Sequence, residues 1–292
     1  LVLYKYCKFY CIYSRNNMSD NPLSNYFRRP SIYITLPSKG KFYPEGTLEM
    51  TENNELPVYP MTAVDEITYR TPDALFNGTS IIEVIQSCMP NIKNAWVIPS
   101  IDLDTILSAI RIASYGHTLE IGTTCPKCEE EAEYGIDLRT IIEQLDVGEY
   151  NSSINVGDLE IHIRPLSYKD INAGSLVQFE EQQIANVLED VEMSEEEKLK
   201  LLSKTFKKIS EMTIATMGKS INYIKTPETL VSDAEQIDEF LHECDRGIFE
   251  SIKDKVLSLR SNSELKPLKI KCMKCEHEYE QPFTLDMSNF FG

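Results

Sequence analysis

Eight cysteines are spread along this 292-residue chain, and four of them form two Cys-x-x-Cys pairs, Cys125/Cys128 and Cys272/Cys275. That spacing lets both thiolates of a tight turn reach one ion, and two such turns supply the four sulfur ligands of a tetrahedral zinc site. Four thiolates close the metal's shell and leave no position for an activated water, so a zinc held here is structural. The same residue types also suit a thioredoxin-like redox pair, a disulfide between the pairs, or plain buried thiols. A redox pair opens a helix after a strand, whereas Glu129-Glu130-Glu131 and then strand-like residues follow the first pair. His277, two residues past Cys275, is a weaker ligand candidate and reads as a hairpin residue. The glycine common after such pairs is replaced by Glu129 and Glu276.

Two short strand pairs must position these thiols. Thr118 to Ile121 leads into the first pair and Glu133 to Leu138 leaves it, while Pro267 to Ile270 and Glu280 to Asp286 flank the second. Each half reads as a β-hairpin with the cysteines at its tip. The halves are separated by 143 residues, against roughly 15–20 in a contiguous zinc ribbon. Three doublings of loop length add only about 2 kcal/mol of closure entropy. A structural zinc contributes about 10–16 kcal/mol of apparent binding free energy, so a split site is feasible.

Composition bounds the rest. A chain with 42% hydrophobic residues can bury a substantial core in one large domain or two small ones. Its formal charge of −17 repels phosphate backbones and anionic surfaces, so neither nucleic acid nor a membrane is expected as a partner. Residues 1–17 differ from the remainder, with five aromatics, two cysteines, three basic residues and no acid. The expectation is that Met18 is the natural start and that this segment is an upstream extension. An interfacial anchor of aromatics and lysines is the rival reading. Cys7, Cys11, Cys88 and Cys244 have irregular spacing, and reduced thiols fit a cytosolic environment better than secretion.

Along the chain, Ile32, Ile34 and Leu36 alternate with Tyr33 and Thr35 as a strand that ends at Pro37-Ser38-Lys39-Gly40. Phe42-Tyr43-Pro44 and Val58-Tyr59-Pro60 supply aromatics that pack on the core. Residues 61–116 read as short helices punctuated by Pro72, Gly78, Pro90 and Pro99. The last of them, apolar on most of its circumference from Ile101 to Ala113, is expected to be buried, capped near Ser100 and stopped at Gly116. Trp96, just before it, reads as a core aromatic. A short helix to about Leu145 follows the first hairpin, and Gly157-Asp158 marks a two-residue turn between strands. The stretch from Ser167 to Ser261 is read as helical, with capping boxes at Ser194/Glu197 and Ser232/Glu235. Its stripes are Leu199/Leu202/Phe206/Ile209, Ile237/Phe240/Leu241/Cys244 and Ile248/Ile252/Val256/Leu259. The acidic clusters at Glu129 to Glu131 and Glu189 to Glu197 read as solvated faces. The final Asn289-Phe290-Phe291-Gly292 reads as a packed terminus, with a short aromatic docking tail as the sharper idea.

No catalytic constellation emerges. His117, His162, His242 and His277 are scattered, and neither a Gly-rich phosphate loop nor a His-Glu-x-x-His run occurs. The expectation is a non-enzyme.

A family resemblance enters at Arg29-Pro30-Ser31-Ile32-Tyr33-Ile34-Thr35-Leu36-Pro37-Ser38-Lys39-Gly40-Lys41-Phe42-Tyr43. The chain here resembles baseplate hub proteins of T-even-like contractile-tailed bacteriophages. The likeness continues through Pro57 to Ala63, Thr71 to Gly78, Val84 to Cys88, Ile92 to Trp96 and Pro99 to Asp104. It runs on to Cys125-Pro126-Lys127-Cys128 and reaches the C-terminus through the second Cys pair. The resemblance implies a baseplate hub component of the virion, or a factor needed to assemble it in the host cytoplasm. Its implied partners are other baseplate hub and tail proteins, and self-association is compatible with it. The alternative from another class is a zinc-ribbon nucleic-acid binder, against which the acidic balance stands; a thiol oxidoreductase is a third.

The expected fold is therefore α+β: a split zinc ribbon of two Cys-x-x-Cys hairpins, a helical core and an inserted helical subdomain. Its parts are 1–17 (upstream extension), 18–60 (extended N-terminal segment) and 61–145 (helical core plus first zinc hairpin). Then come 146–262 (inserted hairpin and helical subdomain) and 263–292 (second zinc hairpin and tail). The expected ligands are Cys125, Cys128, Cys272 and Cys275.

Overall fold

The computed structural model describes residues 21–71, 78–145, 150, 152–175, 195–263, 265–283 and 285. Residues 1–17, the resembling run through 72–77, the Ser194 cap, most of the acidic cluster at 189–197 and the terminal 289–292 lie outside them, as do the side chains of Leu199, Leu202 and Phe206, whose backbone is helical. The architecture is mixed α and β, with helices around small antiparallel sheets.

Two strands, β1 (Ile32–Ile34) and β2 (Leu56–Val58), pair antiparallel with Ile34 opposite Leu56. Helices α1 (Ala63–Tyr69), α2 (Thr79–Cys88) and α3 (Ser100–Tyr115) follow. β3 (Thr118–Thr124) and β4 (Glu131–Asp137) form the first long hairpin, and α4 (Leu138–Leu145) continues directly from it. A hydrophobic core gathers Ile34, Leu56 and Val58 from the strands, Ile85 and Cys88 from α2, and Ile106, Leu107 and Ile110 from α3. Leu138 and Ile141 join from α4, and Phe283 arrives from the far end of the sequence.

α3 is as buried as its composition predicts, and it stops at Gly116, whose φ of 90° admits glycine without penalty. Its start differs from expectation. Pro99 occupies the cap and no side chain caps the helix. The Ser100 N–H instead donates to the carbonyl of Leu166 at 2.8 Å, so a loop carbonyl distant in sequence does the work expected of a capping side chain.

A second core lies between a four-stranded antiparallel sheet and three helices. The sheet order is β5 (Ser153–Val156), β6 (Leu159–Ile163), β7 (Ile221–Lys225) and β8 (Leu230–Val231). Its helices are α5 (Glu195–Ser220), α6 (Ala234–Glu243) and α7 (Arg246–Ser263). Ile161, Ile163, Ile221 and Ile224 from the sheet meet Ile237, Leu241, Ile252 and Leu259 from α6 and α7. The expected hairpin at Gly157-Asp158 is present, with Gly157 at φ 58°.

Two expectations fail here. Residues 221–225 and 230–231 are strands inside the stretch read as helix. The run Ile221-Asn222-Tyr223-Ile224-Lys225 is short, β-branched and aromatic, and pairing with β6 gives it the edge that a local periodicity cannot reveal. The cap of α6 is Asp233 rather than Ser232: the helix begins at Ala234, and the Asp233 carboxylate accepts the Gln236 N–H at 3.0 Å. The last strands, β9 (Leu268–Lys271) and β10 (Glu278–Gln281), form the second cysteine hairpin.

Candidate metal centre

Both cysteine turns fold by the same local rule. In the first, the Cys125 N–H donates to the Glu130 carbonyl at 2.9 Å and the Glu129 N–H donates back to the Cys125 carbonyl at 2.9 Å. In the second, Cys272 N–H reaches the His277 carbonyl at 2.9 Å and Glu276 N–H the Cys272 carbonyl at 3.0 Å. Closing so tight a turn drives one residue into the left-handed region. Glu129 takes φ 57° and Glu276 φ 52°, at the positions where glycine was missed in the sequence.

The two tips face each other with their sulfurs crossed. Cys125 Sγ lies 3.7 Å from Cys275 Sγ, and Cys128 Sγ lies 3.7 Å from Cys272 Sγ. All four sulfurs fall within 4.8 Å of one another. The first cysteine of each pair is buried and the second half-exposed, so the cluster has an approximate two-fold relationship with one flank toward solvent. Each predicted site residue is thus brought together, although they come from hairpins 143 residues apart in sequence. Among the described residues, this is the only group of three or more His, Cys, Asp or Glu side chains close enough to share an ion.

These distances suit a metal. Four ligands about 2.3 Å from a tetrahedral zinc stand about 3.8 Å apart. The sulfurs are free thiols rather than disulfides, and no helix follows the first pair, as a redox motif requires; β4 does. The protein already biases one thiol toward ionisation. N–H groups of Cys275 and Lys274 aimed at Cys272 draw its thiol down to about 7. Cys128 receives an N–H from Glu130, but hydrogen bonding with the Cys275 thiol, burial and the remaining sulfurs outweigh it and push the group up to about 12. A divalent cation at the centre would supply the charge that lets all four ionise.

His277 does not join the group. Its carbonyl closes the second turn and its ring lies against Tyr279, with centroids 6.3 Å apart. Two other histidines are equally local: His162 contacts Glu160 at 2.9 Å and stacks on Tyr223, and His242 sits on the Asp238 carbonyl.

Contacts missed in the sequence tie the hairpins together around the sulfurs. Thr123 Oγ1 donates to Gln281 Oε1 at 2.7 Å, and Lys274 pairs with Glu130. Both hairpins are also rooted in the first core. Leu119, Ile121 and Ile136 of the first hairpin and Leu268 of the second pack against it, Phe283 is part of it, and Leu138 continues β4 into α4.

No helix among the described residues is long and apolar enough to cross a membrane. A family model described as T4 bacteriophage base plate protein matches residues 32–292. No curated protein and no solved structure matches the chain.

Proposed function

Because this chain belongs to the T4 bacteriophage base plate protein family, we propose that it is a non-enzymatic structural or assembly protein of the baseplate hub in which one zinc joins two distant hairpins. The family match covers both cysteine hairpins and everything between them. It supports a place in the virion tail among other tail proteins, either as a resident of the baseplate or as a factor acting during its assembly.

The observation that carries the zinc is the crossed 3.7 Å pairing of four free thiols. Cys125, Cys128, Cys272 and Cys275 would hold the ion, which supplies cross-linking and charge balance rather than reactivity. The chain's own residues do the mechanical work. Glu129 and Glu276 set the turns, Thr123 and Gln281 align the hairpins, and Leu138 and Phe283 transmit that alignment to the first core.

Elemental analysis of protein purified without added metal, with thiol titration before and after chelation, tests the reading. One zinc per chain and four thiols released on chelation are expected. A metal-free protein with a reducible disulfide would overturn it.

A further inference from the structure

Helix α1 is built inside out. Its buried residues are Asp65 and Tyr69, while the aliphatic Val64 and Ile67 point to solvent with 69% and 70% of their surface exposed. Each part of this inversion has a cause. Asp65 is drawn inward because its carboxylate closes a capping box with Thr62 and receives the Arg28 guanidinium at 3.2 Å. Val64 and Ile67, one turn apart, then belong to neither core among the described residues.

Arg28 brings a second apolar group to the same place. It donates to the Pro60 carbonyl at 2.7 Å and to both the carbonyl and hydroxyl of Ser87 at 2.8 Å. This clamp holds the preceding 3-10 turn, Ser24–Tyr26, beside α1, with Leu23, Tyr26 and Phe27 exposed and Tyr26 at 85%. Tyr115, at the end of α3, completes the face by donating to Glu66 Oε1 at 3.0 Å. Eleven large apolar side chains are exposed among the described residues, and six of them, Leu23, Tyr26, Phe27, Val64, Ile67 and Tyr115, lie on these three adjoining elements. Concentration of that kind on a folded chain marks an interaction surface.

The rim identifies the occupant. Arg70 and Arg111 both act on the Tyr115 phenol, with the Arg111 guanidinium 5.2 Å from its ring, and Arg29 is exposed next to the clamp. Of the two acids of α1, Asp65 is engaged inwardly with Arg28 and Thr62, and Glu66 accepts the Tyr115 hydroxyl at the edge of the face, one carboxylate among three arginines. A basic rim on a chain of net charge −17 selects for carboxylates opposite it. A second copy docked through the same face would set arginine rims against each other, which disfavours a two-fold dimer. An anionic lipid surface would meet the field of the whole acidic chain.

We propose that the outer face of α1, the turn before Arg28 and Tyr115 form the docking surface for a different tail protein, which presents an apolar ridge flanked by Asp and Glu. The inference rests on the assembly role proposed above and specifies where that role is exercised.

The test uses the full-length chain in phage-infected cells that lack the native copy. Val64→Glu with Ile67→Glu changes only exposed positions of α1, and Tyr26→Ala, off the helix, gives an independent reading should the double variant melt early. With thermal melts unchanged, assembled baseplates should fall about tenfold or more. A photo-reactive phenylalanine analogue at position 67 should cross-link to another tail protein within an apolar segment bordered by acidic residues. Wild-type yield from both variants would overturn the proposal. A cross-link to a second copy would overturn it too, as would wild-type binding to vesicles of phosphatidylcholine and phosphatidylserine that the variants lose. If Cys125→Ser with Cys272→Ser blocks assembly while the α1 variants do not, only the docking surface falls. If neither set blocks it, the assembly role falls as well.

Discussion

Glu129 and Glu276 hold the same strained backbone position in two turns far apart in sequence, each one residue past the second cysteine and each with positive φ, 57° and 52°. Neither is a residue type that favours this conformation. The left-handed region costs an ordinary side chain about 1–2 kcal/mol.

Replacing either glutamate by Gly therefore relieves strain in the folded turn, offset in part by the greater freedom glycine has when unfolded. Glu129→Gly is expected to stabilise by up to about 1 kcal/mol and to slow metal loss to a competing chelator. Glu129→Val, with a branched Cβ, should do the reverse. Chelator-competition kinetics on the variants reads both.

Loss of one buried thiol from each hairpin should abolish metal binding. Cys125→Ser with Cys272→Ser is expected to contain no zinc by elemental analysis and to lose several kcal/mol of stability in the first core, somewhat below the roughly 10–16 kcal/mol of an isolated zinc peptide because both hairpins keep apolar roots. Acid should act like the mutation on wild-type protein, since protons compete for the sulfurs; zinc retention measured against pH should fall as the solution is acidified.

Asp102 predicts a pH dependence of opposite sign. Fully buried on α3, it accepts from the Ser38 N–H at 2.8 Å, the Ser38 hydroxyl at 2.5 Å and the Tyr43 hydroxyl at 3.0 Å. Burial raises its carboxyl to about 6 despite the lowering effect of those donors. The folded state thus holds a proton that the unfolded chain has released above about pH 4. The site's stabilisation is fully present below that pH and is lost as pH rises through about 6. Relative to Asp102→Asn, the wild type should gain on the order of 3 kcal/mol between pH 7 and pH 4, measurable as a difference between urea midpoints.

Arg28→Ala removes a partly buried ion pair and three hydrogen bonds to carbonyl and hydroxyl groups. Left behind are a nearly buried Asp65 and an unanchored turn. The expected loss is roughly 1–3 kcal/mol, accompanied by faster proteolysis near residue 28 than anywhere in α3. Limited digestion with mapping of the first cut would show it.

The cysteine spacing and the short strands flanking each pair made the meeting of the two hairpins legible, because four thiols in two turns have few other uses. The burial of α3 followed from apolar residues on most of its surface. Less of the second core could be read. Ile221 to Lys225 becomes a strand only because β6 lies beside it, and that neighbour is invisible to any local window. Asp233 takes the cap from Ser232 through a shift of one residue in the helix start. The outward turn of Val64 and Ile67 was hidden for a related reason: it depends on Arg28 capturing Asp65 from 37 positions away.

The order in which the chain is made gives the split hairpins a further meaning. A ribosome delivers Cys125 and Cys128 long before Cys272 and Cys275, and Phe283, which fills the first core, emerges later still. The first half of the thiol cluster must therefore wait, reduced and unclosed, while the whole second core is synthesised and free to fold. A chain that stops anywhere before the second pair retains two bare thiols and an open first core. Completion of the thiol cluster is thus a record, written into the fold, that translation has passed the second hairpin.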